Sequence, residues 1–451
     1  MDHHASASTG GAAEQKTTIR PRLLRLRAAI PEHIIPTSGA LVGTFVVTGL
    51  LGFIYWLVAA RFFSVGDVGF AAAAISAMMF VSIVAMAGIG TLIIREAPNH
   101  RDRERALIGT GVVGTGSVGL VLGLAFALVV PQIAVTFRPL LYPQNALAFT
   151  LGVGLTTGVL VLDQALSGLL RGRVALIRGT IFSVVKLSAL LVAGVWFGYH
   201  SGMLIFATWI LGDAVSILLL GLYAVRHKTV HAWLPRQWRL LRRLLPHAFG
   251  HHLVNVGLLA PSWATPILVT AILSAELNAS FFVAQVLTAP GLFIPGALAF
   301  SLFAVAVRSP GMLPHQIRTT LQLSFGVAAI AAVGVILFGR PVLSLFGPTY
   351  VEQGGVALVA LTLIMFPLTV KVHFANLRRI QGRVLSGSVY ILGGAALELG
   401  LAAVGALMAG IEGVAYGVLI ATTVEAVVMA PTVIAALRPK AFERTAAPGD
   451  R

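Results

Sequence analysis

From Gly39 onward the chain alternates long apolar runs with short polar breaks, and nearly every run is long enough to cross a bilayer. That pattern leaves few folds open. A helix needs about 20 apolar residues to span the hydrocarbon core, and in lipid every backbone polar group must be paired within a helix or a closed barrel. Runs of this length, rich in Gly and Ala as at Ala71 to Ala74, read as closely packed transmembrane helices. The expected fold is an all-α polytopic membrane protein of about twelve transmembrane helices. The spans are 39–60, 69–94, 107–130, 146–170, 176–198, 203–225, 249–273, 281–307, 319–339, 355–377, 386–409 and 413–437. Composition agrees, with 57% hydrophobic and 11% charged residues, against roughly 25% charged in a soluble domain. There is no cysteine, which removes disulfides, thiol catalysis and thiolate metal sites.

A formal charge of +16 would suggest nucleic acid in a soluble protein. In a membrane protein it reads first as a bias of the loops toward the cytoplasm. With twelve spans and the N-terminus inside, the cytoplasmic segments hold 27 of the 32 Lys and Arg when Arg178, at the inner end of its span, is counted with them. Arg61, Arg138 and Arg340 fall outside, and Lys186 and Lys371 lie within spans. Both termini are therefore expected on the cytoplasmic side of the inner (plasma) membrane, and no nucleic-acid partner is expected.

The longest internal break carries Arg236, Arg239, Arg242 and Arg243 and divides the chain six plus six. A shift of 210 residues superimposes the halves without a gap, pairing Ser64 with Ser274, Pro131 with Pro341 and Gly172-Arg173-Val174 with Gly382-Arg383-Val384. An even number of spans per half makes the repeats parallel, related by an axis along the membrane normal. The expected organisation is a disordered, then basic, cytoplasmic tail over 1–35, a six-helix lobe over 36–225, a basic linker over 226–245, a second lobe over 246–437 and a tail over 438–451.

The first span ends Trp56-Leu57-Val58-Ala59-Ala60-Arg61-Phe62-Phe63-Ser64, followed by Val65-Gly66-Asp67-Val68-Gly69-Phe70. The second ends Ala87-Gly88-Ile89-Gly90-Thr91-Leu92-Ile93-Ile94-Arg95-Glu96, and Ser167-Gly168-Leu169-Leu170-Arg171-Gly172 follows the fourth. Together these segments resemble the polysaccharide-biosynthesis flippases of the multidrug/oligosaccharidyl-lipid/polysaccharide exporter superfamily. The resemblance implies a transporter that moves a polyprenyl-diphosphate oligosaccharide across the inner membrane by alternating access. It implies membrane lipids, with glycosyltransferases or a polymerase of the same pathway, as partners of a monomeric protein. A cation-coupled efflux transporter of the same fold is the alternative. A membrane enzyme is disfavoured because the outer loops are short and lack paired acid–base spacing, and no nucleotide-binding Gly-rich loop is present.

Ionisable groups inside spans are expensive and are functional candidates by default. Lys186, Lys371 and His373, with His251, His252 and Arg95 at the inner ends of the seventh and second spans, form the candidate site for the cargo diphosphate. Lys186 and Lys371 are expected to line the inner half of a cavity between the lobes. Two quieter readings stand beside this: an ion pair between Lys186 and Asp163 that pins a hairpin, and a Lys371 that reaches to the headgroups. Asp163, Asp213, Glu398 and Glu425 are the candidates for proton or sodium coupling, with Glu398 and Glu425 placed to share a proton. Neutral acids hydrogen-bonded between helices are the alternative. No other cofactor is expected.

Overall fold

The computed structural model describes residues 34–97, 103–226, 237–308 and 310–438, and all its regular structure is helical. The expectations for the N-terminal tail, most of the linker and the C-terminal tail fall outside these residues.

The first half holds α1 (Ile34–Phe62), α2 (Val65–Ala85), α3 (Ile89–Glu96), α4 (Glu104–Ile133), α5 (Pro143–Gly168), α6 (Gly172–Leu190) and α7 (Gly202–Arg226). The second holds α8 (Trp238–Ile272), α9 (Ala275–Arg308), α10 (Leu313–Ser344), α11 (Pro348–Leu363), α12 (Met365–Ile380) and α13 (Val384–Ala436). Local chemistry sets the ends. The Ser64 hydroxyl caps α2 by accepting from Asp67 N at 3.1 Å, and α5 and α11 each begin on a proline, whose missing N–H is harmless there. The expected span over 69–94 is interrupted: Ala87 and Gly88 take positive φ, so α2 and α3 are separate helices.

Ten helices among the described residues are long and apolar enough to cross a membrane, and Val46–Phe62 is a shorter apolar helix. One of the ten, α13, has 53 residues. At about 1.5 Å per residue it would far exceed the ~30 Å hydrocarbon core. It does not run straight. Ala409 and Gly410 leave helical backbone, Gly410 with φ of 59°. A Cβ added at Gly405 or Gly413 would stand 2.0 Å from the other's carbonyl oxygen. Two arms therefore fold back on each other with backbones in contact, an approach only glycine allows.

Helices of each half pack mainly on one another, and the halves meet chiefly through α2 against α8 and α9. The buried apolar residues form one shared core at one end, with Tyr55, Trp56, Phe137, Phe281, Phe346 and Tyr350 drawn from both halves. Toward the other end they divide. One cluster gathers around α3, α4 and α5, joined by the start of α8; another belongs wholly to residues 254–436. Arg95, Arg171, Arg173, Arg378, Arg379 and Arg383 lie at this second, basic end.

At the shared-core end the halves are latched. Arg61 donates from Nε to the Leu345 carbonyl at 2.5 Å, at the C-terminus of α10. Asn278 donates to the Gly69 carbonyl at 2.9 Å, and Trp56 meets Phe282 edge-on at 4.7 Å.

Candidate functional site

The intramembrane charges gather into two clusters, one in each half, each on the fourth, fifth and sixth expected spans of its half. In the first, the turn between α5 and α6 brings Asp163 and Arg178 level with each other. Arg178 forks onto the Asp163 carboxylate, with Nε to Oδ1 at 2.6 Å and Nη2 to Oδ2. This is the bidentate geometry that guanidinium favours. Its Nη1 reaches the Ser216 hydroxyl at 3.3 Å and Asp213 Oδ1 at 3.7 Å on α7. Thr156 donates to the remaining Asp213 oxygen at 2.9 Å.

The expected Asp163–Lys186 pair is thus replaced by Asp163–Arg178. Arg178, at the inner end of its expected span, is only 7% exposed. Depth explains the exchange. Asp163 and Arg178 lie at equal distances from the turn at 169–171, whereas Lys186 is two helical turns deeper, about 12 Å along the axis. Lys186 is 3% exposed, and its ammonium sits among aromatic rings instead: 3.9 Å from the Trp209 centroid, 4.5 Å from Phe182 and 4.7 Å from Tyr55.

In the second cluster Lys371 is 1% exposed and does not reach the headgroups. Its ammonium contacts Glu398 on the first arm of α13 and Glu425 Oε2 on the second, the latter at 2.8 Å. Glu398 and Glu425 therefore come together, as their matching depth suggested, but with a lysine between them. The Glu425 carboxyl lies on bare backbone: a Cβ on Gly394 would be 2.3 Å from its carboxyl carbon. His373 faces away, with Nδ1 2.7 Å from the Thr369 carbonyl and Nε2 3.0 Å from the Thr320 hydroxyl. A cavity adjoins this cluster, lined by Pro261, Ser262, Gln285, Thr288, Lys371 and Glu398 among others, all from the second half. Lys186 is not among its lining residues.

The remaining cations sit at the seam of the basic end. On α8, His251 and Asn255 are one turn apart; on α3, so are Thr91 and Arg95. Asn255 donates to the Thr91 hydroxyl at 3.3 Å and accepts from Arg379 Nη2 at 2.6 Å, linking α3, α8 and α12. His251 is half-buried within electrostatic reach of Arg379 and Arg95. Arg95 is largely exposed, 3.4 Å from Glu96. His252 is buried, its Cβ beside Gly88. Arg379 escapes the sequence reading because it lies two residues beyond its apolar run, 355–377; its spacing from the preceding helix carries no sign of the partner it meets. Among the described residues no group of three or more His, Asp or Glu could hold a metal ion.

This helical bundle is a membrane-transporter fold. It is similar to a multidrug resistance transporter of the MATE family, of the MOP superfamily, in an inward-facing conformation. That likeness has a TM-score of 0.66 and 17% identity over 89% of this chain and 96% of the other. It is also similar to the lipid II flippase MurJ in an inward closed conformation, with a TM-score of 0.69 and 11% identity over 89% and 87%. A MOP superfamily transporter from Pyrococcus furiosus, described as having a binding pocket of reversed polarity, matches with a TM-score of 0.62 and 15% identity over 90% and 96%. No curated protein matches by sequence. The family model for polysaccharide biosynthesis proteins matches residues 38–303, more than half of the chain, and the chain belongs to that family.

Proposed function

We propose that the protein moves a polyprenyl-diphosphate oligosaccharide across the inner membrane, with twelve crossings, both termini cytoplasmic and two parallel-repeat lobes (36–225 and 246–437) that rock about the seam. The observation that carries this reading is the polar seam at the basic end of a chain of this family. Arg379, His251 and Arg95 converge there from three helices and both halves, around Asn255 and Thr91. Among the described residues no carboxylate stands within ion-pair distance of Arg379, and its Nε is buried without a partner. A diphosphate losing its hydration meets charge-assisted donors at that point, while the lipid tail stays in the bilayer. His252 supports the seam from the same helix. Lys371, already facing two glutamates, and Lys186, enclosed by aromatic rings, stand deeper and receive the cargo less directly.

Binding of a synthetic polyprenyl-diphosphate disaccharide to the purified protein, followed by native mass spectrometry, tests the reading. Inorganic pyrophosphate should compete, and Arg379→Gln should weaken binding about tenfold or more, the scale of one charge-assisted contact at ~1.5–3 kcal/mol. Binding of ethidium in preference to the sugar-lipid, indifferent to Arg379→Gln, would instead establish the efflux transporter.

A further inference from the structure

Counting charges separates the two halves. In the first, Asp163 and Asp213 stand against Arg178, which contacts both, and Lys186, whose ammonium is held by the faces of Tyr55, Phe182 and Trp209. Three ring faces at such distances attract the ammonium. Two negative charges thus meet two positive ones.

In the second half Glu398 and Glu425 share Lys371 alone. His373, two residues from Lys371, turns to Thr369 and Thr320 rather than to the glutamates. Among the described residues no other acid or base contacts this pair. Fully ionised, the cluster would bury one uncompensated negative charge, which apolar surroundings penalise heavily. Glu425 is 4% exposed, and apart from the Lys371 ammonium 2.8 Å from its Oε2 its carboxyl oxygens have no hydrogen-bond partner. Glu398 and Lys371 line the adjoining cavity with Ser262, Gln285 and Thr422, which gives small species a polar approach to the pair.

We propose that the second half alone holds one exchangeable proton, shared by Glu398 and Glu425 beside Lys371, and that the charge cluster of the first half is internally balanced and takes no part in proton exchange. The proton lies on a carboxyl oxygen; when it leaves through the cavity it leaves a carboxylate that Lys371 only half compensates, so it must be replaced or the cluster must rearrange. If the protein transports as proposed above, this sets an upper limit of one proton per cycle. The proton itself stands independently of the cargo.

Infrared difference spectroscopy of the purified full-length protein tests this without any cargo. A pH step on wild type should reveal one protonated-carboxyl band. Glu425→Gln and Glu398→Gln should each abolish it, because either variant leaves one carboxylate against one ammonium. If one of them does not fold, the other makes the same measurement. Asp163→Asn and Asp213→Asn should retain the band. Glu425→Gln combined with Lys186→Met should restore a band, now from the unbalanced first half. A band that survives Glu425→Gln, or one lost in Asp213→Asn, overturns the assignment. So does loss of the wild-type band when choline chloride is replaced by sodium chloride, which would make the pair a sodium site. A sugar-lipid binding assay that fails while the carboxyl pattern holds would remove the cargo reading and leave the proton in place.

Discussion

At the scale of single residues, the second charge cluster depends on an absent side chain. The Glu425 carboxyl occupies the space where a Cβ of Gly394 would be, whereas Gly393, its neighbour, has nothing within 4 Å of the same position. Gly394→Ala should displace Glu425 from Lys371 and destabilise the protein by about 1–3 kcal/mol, the usual scale of overpacking. Gly393→Ala, at an open helical position, should change stability by less than about 1 kcal/mol. Thermal melts of the two variants in the same detergent check the pair; equal melting temperatures would count against the close contact. Which residues are charged and deep was legible in the sequence, because intramembrane acids and bases are few. Which acid meets which base was less so. Proximity of helices makes a Lys186–Asp163 pair one reading of the sequence, but pairing across a hairpin requires equal distance from the turn, and Arg178 satisfies that where Lys186 does not. The aromatic surroundings of Lys186 come from α1 and α7 as well as α6, and nothing in the spacing of Tyr55 and Trp209 announces that these helices meet.

At the scale of elements, hydropathy located the helices well, since burial of backbone in lipid forces long apolar runs to be helical. It could not see the break at Ala87 and Gly88, because a turn buried among packed helices leaves the run apolar throughout. Nor could it show that α2 and α9 meet at their starts. There a Cβ on Gly69 would stand 1.6 Å from the Ala275 carbonyl oxygen, and one on Gly66 would stand 2.9 Å from the Glu276 carboxylate. With Arg61 bonded to the end of α10, these contacts close the shared-core end. A moving transporter must open them. Cysteines at Gly66 and Glu276, in a chain with no others, should be bridged by a short bis-thiol-reactive reagent, and bridging should stop transport in a complementation assay. Full complementation with the bridge in place would mean that this end stays shut throughout the cycle.

At the scale of the whole molecule, the two ends differ in both packing and charge, and together these suggest an orientation. One end shares a core across the halves and carries Arg61, Arg138 and Arg340. The other divides its core and carries the remaining arginines of the described loops. On the positive-inside tendency the basic end is expected in the cytoplasm. In that orientation the seam of Arg379, Asn255 and His251 would face the cytoplasm, the side from which the proposed cargo enters, with the latch of Arg61 on the far side. The orientation can be read with two conservative substitutions, both at exposed serines. Ser201 precedes α7 at the shared-core end, and Ser386 lies in the first turn of α13 at the basic end. Since the native chain has no cysteine, Ser201→Cys and Ser386→Cys each introduce a single thiol. A membrane-impermeant maleimide should label Ser201→Cys in intact spheroplasts and Ser386→Cys only after permeabilisation. The reverse pattern would turn the molecule over and place the cationic seam on the outer face, where it would have to receive its anion from outside. Labelling of both from outside would require an odd number of crossings between residues 201 and 386 to become even, and the two-lobe arrangement would then fail with the orientation.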